Sequence, residues 1–181
     1  MKIYTKRGDQ GSTGLLAGAS VFKDHPRIRT YGTFDELNAV LGFALAEVIP
    51  DMKLEKNLQR VQSELFQLGS ELATPAGKAP PIRPLDAEQV QALEIEIDEM
   101  QAVLKPLEHF ILPGGARLTA ALHLARTVCR RAERELVALH HDEPVRAIVL
   151  EYVNRLGDYF FVCARYSNKL LGQEDTLWVP R

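Results

Sequence analysis

Residues 54–72, LEKNLQRVQSELFQLGSEL, decide the fold class of this chain. Apolar side chains recur there at alternating spacings of four and three residues, at Leu54, Leu58, Val61, Leu65, Leu68 and Leu72. That spacing places all of them on one face of an α-helix, and it is the heptad pattern of helices that pack against other helices. The stretch therefore predicts a long amphipathic helix within a helical bundle.

Four further stretches show the same helical periodicity. The first begins with the capping-box pattern TFDE at 33–36, with Thr33 as the N-cap, and ends at Pro50. The third begins after Asp86 and ends before Pro106, and the fifth begins near Pro144. Their apolar positions are Phe34, Leu37, Leu41, Ala44, Leu45 and Val48 in the first; Val90, Leu93, Ile97, Met100 and Leu104 in the third; Leu118, Leu122, Ala125, Cys129, Ala132, Leu136 and Leu139 in the fourth; and Val149, Tyr152, Leu156, Tyr159, Cys163, Tyr166 and Leu170 in the fifth.

Five such helices predict an all-α fold, an antiparallel five-helix bundle with a ferritin-like up-and-down arrangement. We predict a single domain over residues 1–181, with the bundle at 33–171 and an N-terminal arm at 1–30. The arm, a Pro-rich loop at 76–85 and a tail at 172–181 are predicted to lack regular structure.

Bulk composition excludes several classes of protein. The formal net charge of −2 argues against a nucleic-acid-binding domain with a basic field. No apolar run approaches the length of a membrane span, and no apolar signal segment follows Met1. Two cysteines are too few for a disulfide framework or a Cys-rich zinc site. We therefore expect a cytoplasmic protein that binds neither nucleic acid nor membrane.

The N-terminal stretch at 5–14, TKRGDQGSTG, carries three glycines, two cations and one carboxylate. Glycines let backbone N–H groups approach an anion closely, and Lys6 and Arg7 add positive charge, as a polyphosphate site requires. No Gly-Lys-Ser/Thr triplet occurs, so this is not a Walker motif. A mobile Gly-rich arm without a ligand is the alternative interpretation.

The fourth helix carries Arg126, Arg130 and Glu133 on one stripe, with Arg134 four residues after Arg130. Arginine suits phosphate because its guanidinium fork binds two oxygens at once. An ordinary solvated helix face with an Arg–Glu pair explains the same pattern. On the fifth helix, Asn154 and Asp158 are similarly open to a ligand-binding or a capping role.

Other polar and aromatic positions have local explanations. Asp35 lies in the first turn of the first predicted helix, where a carboxylate favours the helix dipole. Phe110, in a connector, can plug the end of the bundle or face a cofactor. The histidines at 109, 140 and 141 form no Glu-x-x-His pattern, so we predict no metal site built from protein side chains. Cys129 and Cys163 lie on apolar seams and are predicted to be core residues rather than reactive thiols.

Six segments in order resemble the PduO-type ATP:cob(I)alamin adenosyltransferases, also called corrinoid adenosyltransferases. They are TKRGDQGST at 5–13, YGTFDELNAVLG at 31–42, SELATP at 70–75, FILPGG at 110–115, ARTVCRRAER at 125–134 and YVNRLGDYFFVCARYSN at 152–168. The segments run nearly from end to end of the chain. The Pro-rich loop at 76–85 has no clear counterpart in the family.

The resemblance implies a homotrimer of five-helix bundles with each active site between two subunits. It implies a transferase that moves the 5′-deoxyadenosyl group from ATP to the cobalt of cob(I)alamin and releases tripolyphosphate. Mg²⁺ would accompany the ATP. A corrinoid reductase and an adenosylcobalamin-dependent enzyme are the expected further partners.

The resemblance also implies roles for single residues. Phe110 matches an aromatic residue below the corrin ring, and Asp35 and Arg126 match a pair that bridges neighbouring subunits beside the corrinoid. Asp35, Phe110, Arg126 and Arg130 are the expected catalytic residues. The implied ATP-binding residues are Thr5, Lys6, Arg7, Gly8, Asp9, Gln10, Gly11, Thr13, Lys23, Arg130, Glu133, Arg134 and Asn154.

The sequence leaves two alternatives to this enzyme. One is a non-catalytic bundle that binds ATP or a corrinoid as a sensor or a cofactor carrier. The other is a purely structural helical oligomer.

Overall fold

The computed structural model describes residues 2–18, 20–47 and 53–180 of the chain. Its helices are α1 (Pro26–Leu45), α2 (Lys53–Leu72), α3 (Ala87–Gln101), α4 (Arg117–Asp142) and α5 (Ala147–Leu170). Two short strands, β1 (Ser12–Gly14) and β2 (Ser20–Phe22), precede α1. The predicted all-α, five-helix fold is confirmed.

The helices pack around one apolar core. α1 lies between α2 and α4, and α5 packs against both α4 and α3. The six seam positions of α2 are all buried, as the heptad spacing predicts, and the largest buried side chains are Tyr152, Tyr159, Phe34 and Phe160. Ion pairs between Arg29 and Glu135 and between Arg117 and Glu47 show that α1 and α4 run antiparallel.

Helix α1 begins earlier than the capping pattern at 33–36 predicts. Its N-cap is His25, whose Nδ1 accepts a hydrogen bond from the backbone N–H of Arg27 at 3.2 Å, and Pro26 occupies the first helical position. Thr33 lies inside the helix and donates its hydroxyl hydrogen to the carbonyl oxygen of Arg29. The prediction of an N-cap at Thr33, and of a bundle beginning there, is therefore wrong. The predicted seam residue Val48 and the predicted stop at Pro50 lie outside the described residues.

The other helix ends agree in part with the sequence. Asp86 caps α3 in a complete capping box with Gln89, as predicted for an N-cap at this position. α3 ends at Gln101, before the predicted seam residue Leu104, and α5 begins at Ala147 rather than at Pro144. Among the described helices, none combines the length and apolar character that a membrane crossing demands.

The arm and the tail contain regular structure that was not predicted. In the arm, β1 and β2 form an antiparallel hairpin in which Thr13 lies opposite Val21. In the tail, Leu177 forms an antiparallel bridge with Ile111. Strands this short carry too few residues for a period-two pattern to be visible in the sequence.

Candidate functional site

The Lys23 ammonium lies beside the glycine turn at 8–11 of the arm. The backbone N–H of Gly11 donates to Gly8 O at 3.2 Å, and Gly11 O accepts from the N–H of Lys23 at 2.9 Å. Gly11 has φ +81°, a left-handed conformation that glycine adopts without strain. The Lys23 ammonium lies 3.2 Å from the place where a Cβ on Gly8 would be. The structure thus brings together Lys23 and the predicted loop.

The remaining arm residues stay open to solvent. Thr5, Lys6, Arg7, Asp9 and Gln10 are exposed. The N–H of Asp9 donates to Lys6 O at 3.4 Å, so this end of the arm is also folded back in a turn. Such an arrangement leaves the Lys6 and Arg7 side chains free to reach an anion.

A buried arginine anchors the arm to the bundle. The N–H of Leu16 donates to Ala73 O at 2.9 Å, at the end of α2. Arg27, only 4% exposed, donates to Leu72 O at 2.8 Å and to Thr74 O at 3.0 Å. Its guanidinium also pairs with Glu143 at 2.6 Å. Sequence analysis missed Arg27. Its hydrogen bonds to Leu72 and Thr74 hold the SELATP segment at 70–75, and the same segment accepts the hydrogen bond from Leu16 of the arm.

A polar cluster joins α4 to α5. Asn154 Nδ2 donates to Glu133 Oε1 at 2.8 Å, and Arg134 donates to the carbonyl oxygen of Arg130 at 3.0 Å. The Cγ of Arg130 lies 3.9 Å from the place where a Cβ on Gly157 would be, so Arg130 lies across α5. Arg130, Arg134 and Asn154 are exposed and Glu133 is half-buried, so two cations, one carboxylate and one amide lie together at the surface of the bundle. This arrangement suits a polyanion with polar groups.

Asp158 is not part of this cluster. Its carboxylate lies 3.6 Å from the guanidinium of Arg155, which also pairs with Glu94 at 2.9 Å. A structural explanation is therefore sufficient for Asp158.

Arg126 is partly buried and His123 is buried, and each has one buried side-chain nitrogen without a partner within the described part of the chain. The buried Nε of Arg126 and the buried Nδ1 of His123 have no hydrogen-bond partner among the described residues. Burial, and then the neighbouring charge of Arg130, lower the pKa of Arg126. Burial, and then Arg126, lower the pKa of His123. A partly buried cation whose Nε has no partner in the described chain is stabilised by an opposite charge, so this position favours an anionic group supplied from outside the chain.

Asp35 is exposed on α1, and within one chain no ion pair joins it to Arg126 in the part that the structure describes. The neighbouring Glu36 instead pairs with Arg131 across α1 and α4. About one helical turn along α1 from Asp35, a groove of about 420 Å³ is lined by Asn38, Gln62, Ser63, Phe66, Gln67 and Ile82. Asn38 Oδ1 is buried there without a partner among the described residues. Sequence analysis did not single out this groove.

Phe110 is 79% exposed in the connector between α3 and α4. Its ring meets the ring of Trp178 edge to face, with 6.2 Å between the centroids. Its carbonyl oxygen accepts a hydrogen bond from the backbone N–H of Trp178 at 2.7 Å. The structure does not support a plug in the bundle end, because so exposed a ring is not packed in the core. Sequence analysis missed Trp178, although it is the only tryptophan of the chain.

The two cysteines are core residues, and His140 makes a local contact with the backbone. Cys129 and Cys163 are fully buried, and burial raises the pKa of both thiols, which keeps them protonated. His140 Nδ1 accepts from the N–H of Val145 at 3.0 Å. No cluster of three or more His, Cys, Asp or Glu side chains placed to hold a metal occurs among the residues that the structure describes.

Comparison with known proteins places this geometry in context. A family model described as cobalamin adenosyltransferase matches residues 3–167. The corrinoid adenosyltransferase of Bacillus subtilis is 45% identical over 178 residues, which cover 97% of this chain and 91% of that protein. The corrinoid adenosyltransferase PduO of Salmonella typhimurium is 43% identical over 166 residues, 91% of this chain but 49% of that protein.

A solved structure of a corrinoid adenosyltransferase is also similar to this chain along almost its whole length. It is a Phe-to-Ala variant of the PduO-type ATP:corrinoid adenosyltransferase from Lactobacillus reuteri, complexed with cobalamin and ATP. It superposes with a TM-score of 0.92 at 40% identity and covers 99% of this chain and 100% of that one.

Proposed function

Because this chain belongs to the cobalamin adenosyltransferase family, we propose that it transfers the 5′-deoxyadenosyl group of ATP to cob(I)alamin. The products are adenosylcobalamin and tripolyphosphate. The observation that carries the proposal is the likeness along almost the whole chain to a protein solved with both cobalamin and ATP. The polar cluster on α4 and α5 and the folded arm supply the groups that such substrates need.

The reaction is a displacement at carbon. The cobalt of cob(I)alamin attacks C5′ of ATP with its electron pair, the C5′–O bond breaks, and tripolyphosphate leaves with the electrons of that bond. Co(I) is itself a strong nucleophile, so no protein base is required. The chain contributes alignment of the two substrates and neutralisation of the leaving group, which are positioning and electrostatic effects.

We assign the triphosphate to the arm and to α4. The ammonium of Lys23, which lies beside Gly8, supplies positive charge for phosphate oxygens, and the glycine turn at 8–11 lets those oxygens approach the backbone closely. Arg130 adds a forked donor for two oxygens and Arg134 a second charge. Thr5, Lys6, Arg7, Asp9, Gln10 and Thr13 complete the arm side of the site. The Asn154–Glu133 pair offers donors and acceptors for the ribose or the base.

The proposed assembly is a homotrimer with active sites between subunits. Exposed residues on α1 (Arg29, Gly32, Glu36, Ala39 and Phe43) and on α4 (Ala120, Leu124, Thr127, Arg131, Arg134 and Ala138) recur every three or four residues, as on a helix face that packs against a partner. Phe43 and Leu124 expose about half of their surface on these faces, at 55% and 48%. A neighbouring subunit would cover them.

The same assembly explains the unpartnered arginine. Asp35 of a neighbouring copy would supply the carboxylate that Arg126 lacks within its own chain. The groove near Asp35 would then lie next to Phe110 of the first subunit, and we assign the corrinoid to the space between them. Phe110 would occupy the lower face of the corrin and exclude water and the nucleotide base. Without water or the nucleotide base, the cobalt has no lower axial ligand. This makes reduction of Co(II) to Co(I) easier, because such a ligand stabilises the oxidised state more.

Mg²⁺ fits this site as an ion bound to ATP. Mg²⁺ retains several waters and binds to one or two carboxylates together with substrate phosphates. We further propose a cytoplasmic location, a corrinoid reductase as electron donor and an adenosylcobalamin-dependent enzyme as recipient of the product.

The test is turnover. Purified protein is mixed with ATP, Mg²⁺ and chemically reduced cobalamin, and the light-sensitive spectrum of adenosylcobalamin is followed, with a mixture lacking ATP as control. Product formation supports the enzyme. Binding of both substrates without product would support the sensor or carrier instead. A structural oligomer would show no thermal shift with ATP, whereas a ligand at ~100 times its Kd stabilises by ~2.7 kcal/mol.

A further inference from the structure

The tail of the chain is paired with the connector that carries Phe110. Leu112 N–H donates to Thr176 O at 2.8 Å, and Trp178 N–H donates to Phe110 O at 2.7 Å. Ile111 and Leu177 face each other in the bridge between these hydrogen bonds. The position of Phe110 therefore depends on where the tail lies.

Asp175, immediately before this paired segment, holds the tail to the bundle. Its Oδ2 accepts from Arg165 Nε at 2.7 Å, and its Oδ1 accepts from Asn168 Nδ2 at 3.1 Å. Arg165 also donates to Lys105 O at 2.8 Å, at the start of the connector. The side chains of Arg165 and Asp175 are only 10% and 17% exposed. The Asp175 carboxylate thus links the tail to α5. Through Arg165 it also links the tail to the segment after α3.

Asn168 extends the same network to the other end of the connector. Its Oδ1 accepts from Thr119 Oγ1 at 2.7 Å and from the N–H of Ala116 at 3.3 Å, at the start of α4. Gly115 has φ +108°, and a Cβ there would lie 2.4 Å from Asn168 Oδ1. The backbone is therefore fitted closely around Asn168. Asp175 and Asn168 together fix both ends of the connector relative to α5.

We infer that Asp175 is a positioning residue for adenosyl transfer: by clamping the tail through Arg165 and Asn168, it holds Trp178 against Phe110 and so sets the place of the Phe110 ring. The inference rests on the proposed function, in which Phe110 faces the corrinoid. Asp175 itself touches no substrate in this proposal. Its effect passes through the backbone pairing of 110–112 with 176–178.

Charge and burial explain why the Asp175–Arg165 pair is stronger than the neighbouring Glu174–Lys105 pair. Glu174, adjacent in the chain, also pairs with a cation, since its Oε1 lies 2.8 Å from Lys105 Nζ. Those two side chains are 84% and 86% exposed, and such surface pairs contribute little. The Asp175–Arg165 pair is largely buried, so removal of the carboxylate charge leaves Arg165 without compensation. Glu174→Gln is therefore the matched control for Asp175→Asn.

The first measurement needs no substrate. Trp178 is the only tryptophan, so its fluorescence reports directly on docking of the tail. Asp175→Asn should shift the emission to the red and increase acrylamide quenching, whereas Glu174→Gln should match the wild type. Circular dichroism and Tm show that the bundle is folded. A Trp178 signal unchanged by Asp175→Asn would overturn the inference.

The second measurement connects the tail to the chemistry. Electron paramagnetic resonance of bound cob(II)alamin with ATP should show a smaller four-coordinate fraction in Asp175→Asn, and kcat should fall about tenfold or more while ATP affinity is retained. Release of Trp178 without any change in the Co(II) spectrum or kcat would also overturn the inference. If the wild type makes no adenosylcobalamin, the proposed function fails, whereas the fluorescence result still decides whether Asp175 clamps the tail.

A second variant covers the case in which Asp175→Asn does not fold. A chain shortened to end at Asp175 keeps the Arg165 pair but removes the segment 176–178 that pairs with the connector. It should reproduce the loss of four-coordinate Co(II). A normal four-coordinate fraction in the shortened chain would show that the tail does not place Phe110, and would contradict the inference.

Discussion

Asn154 on α5 donates a hydrogen bond to Glu133 on α4, with 2.8 Å between Nδ2 and Oε1. Both residues match the nucleotide-contacting positions implied by the family resemblance, and the structure brings them together on the outer surface.

Asn154→Asp would place a second carboxylate against Glu133, next to the proposed phosphate site. We expect ATP affinity to fall about tenfold, because both charges repel the triphosphate, while Tm changes little at this exposed site. Calorimetric titration with Asp158→Asn as control checks this, and equal ATP affinity in Asn154→Asp and wild type would contradict it.

Arg130 should be required for adenosylation. Arg130→Ala removes two donors from the leaving tripolyphosphate, and we expect kcat/KM to fall about 10- to 100-fold. Arg130→Lys should recover only part of the loss, since a single ammonium lacks the forked geometry. Arg155→Ala, a change on the next helix outside the cluster, is the control. A folded Arg130→Ala protein with near-normal kcat/KM would remove Arg130 from the site.

ATP should order the arm. Residues 5–11 lie in mostly exposed turns held mainly by backbone hydrogen bonds to each other and to Lys23, and β1 begins at Ser12. We expect fast hydrogen exchange at 5–11 without nucleotide, and protection on addition of ATP and Mg²⁺. Amides in the middle of α2 are the internal control. Identical exchange of the arm with and without ATP would show that it does not bind the phosphates.

Phe110→Ala should separate corrinoid handling from ATP binding. The arm and Arg130 are untouched, so ATP affinity should be retained. The four-coordinate fraction of bound cob(II)alamin should fall, because water or the nucleotide base can reach the lower face again. Electron paramagnetic resonance measures that fraction, with His109→Ala at the adjacent exposed residue as control. An unchanged spectrum would mean that Phe110 does not face the corrin.

Asp35 and Arg126 should be energetically coupled across a subunit interface. Asp35→Asn and Arg126→Ala should each impair corrinoid turnover more than ATP affinity, because each leaves the other charge without a partner. The exchanged pair, Asp35→Arg with Arg126→Asp, should recover part of the activity. A double-mutant cycle should give a coupling energy above ~0.5 kcal/mol. Light scattering should report trimers for the wild type and the single variants; a monomeric wild type, or strictly additive effects, would reject the pairing.

The error at Thr33 shows why local patterns do not settle where a helix begins. The capping box at 33–36 is a valid local signal, but the structure extends α1 back to Pro26. Arg27 and Thr30, in the extra turns, are buried, and Thr30 Oγ1 donates to Glu135 O on α4 at 3.2 Å. Contacts with distant segments stabilise these turns, so the helix continues past a possible start.

The heptad seam on α2 is the clearest case of structure that the sequence alone determined. Helical periodicity depends only on which residues are apolar and on 3.6 residues per turn, so the five helices, the core positions of α2 and the cap at Asp86 could be read without coordinates. The residue types in the arm and on α4 suited a polyphosphate site, but they suited a mobile arm and a solvated helix face as well. Their proposed roles still await the experiments above.

Only the tertiary structure decided which distant groups meet. Phe110 meets Trp178, Asp175 pairs with Arg165, and the buried Nε of Arg126 has no partner among the described residues. No local pattern specifies such contacts, because each depends on how the helices pack and on where the loops cross between them. Fold class follows from periodicity along the chain, whereas the geometry of a site follows from packing between its segments.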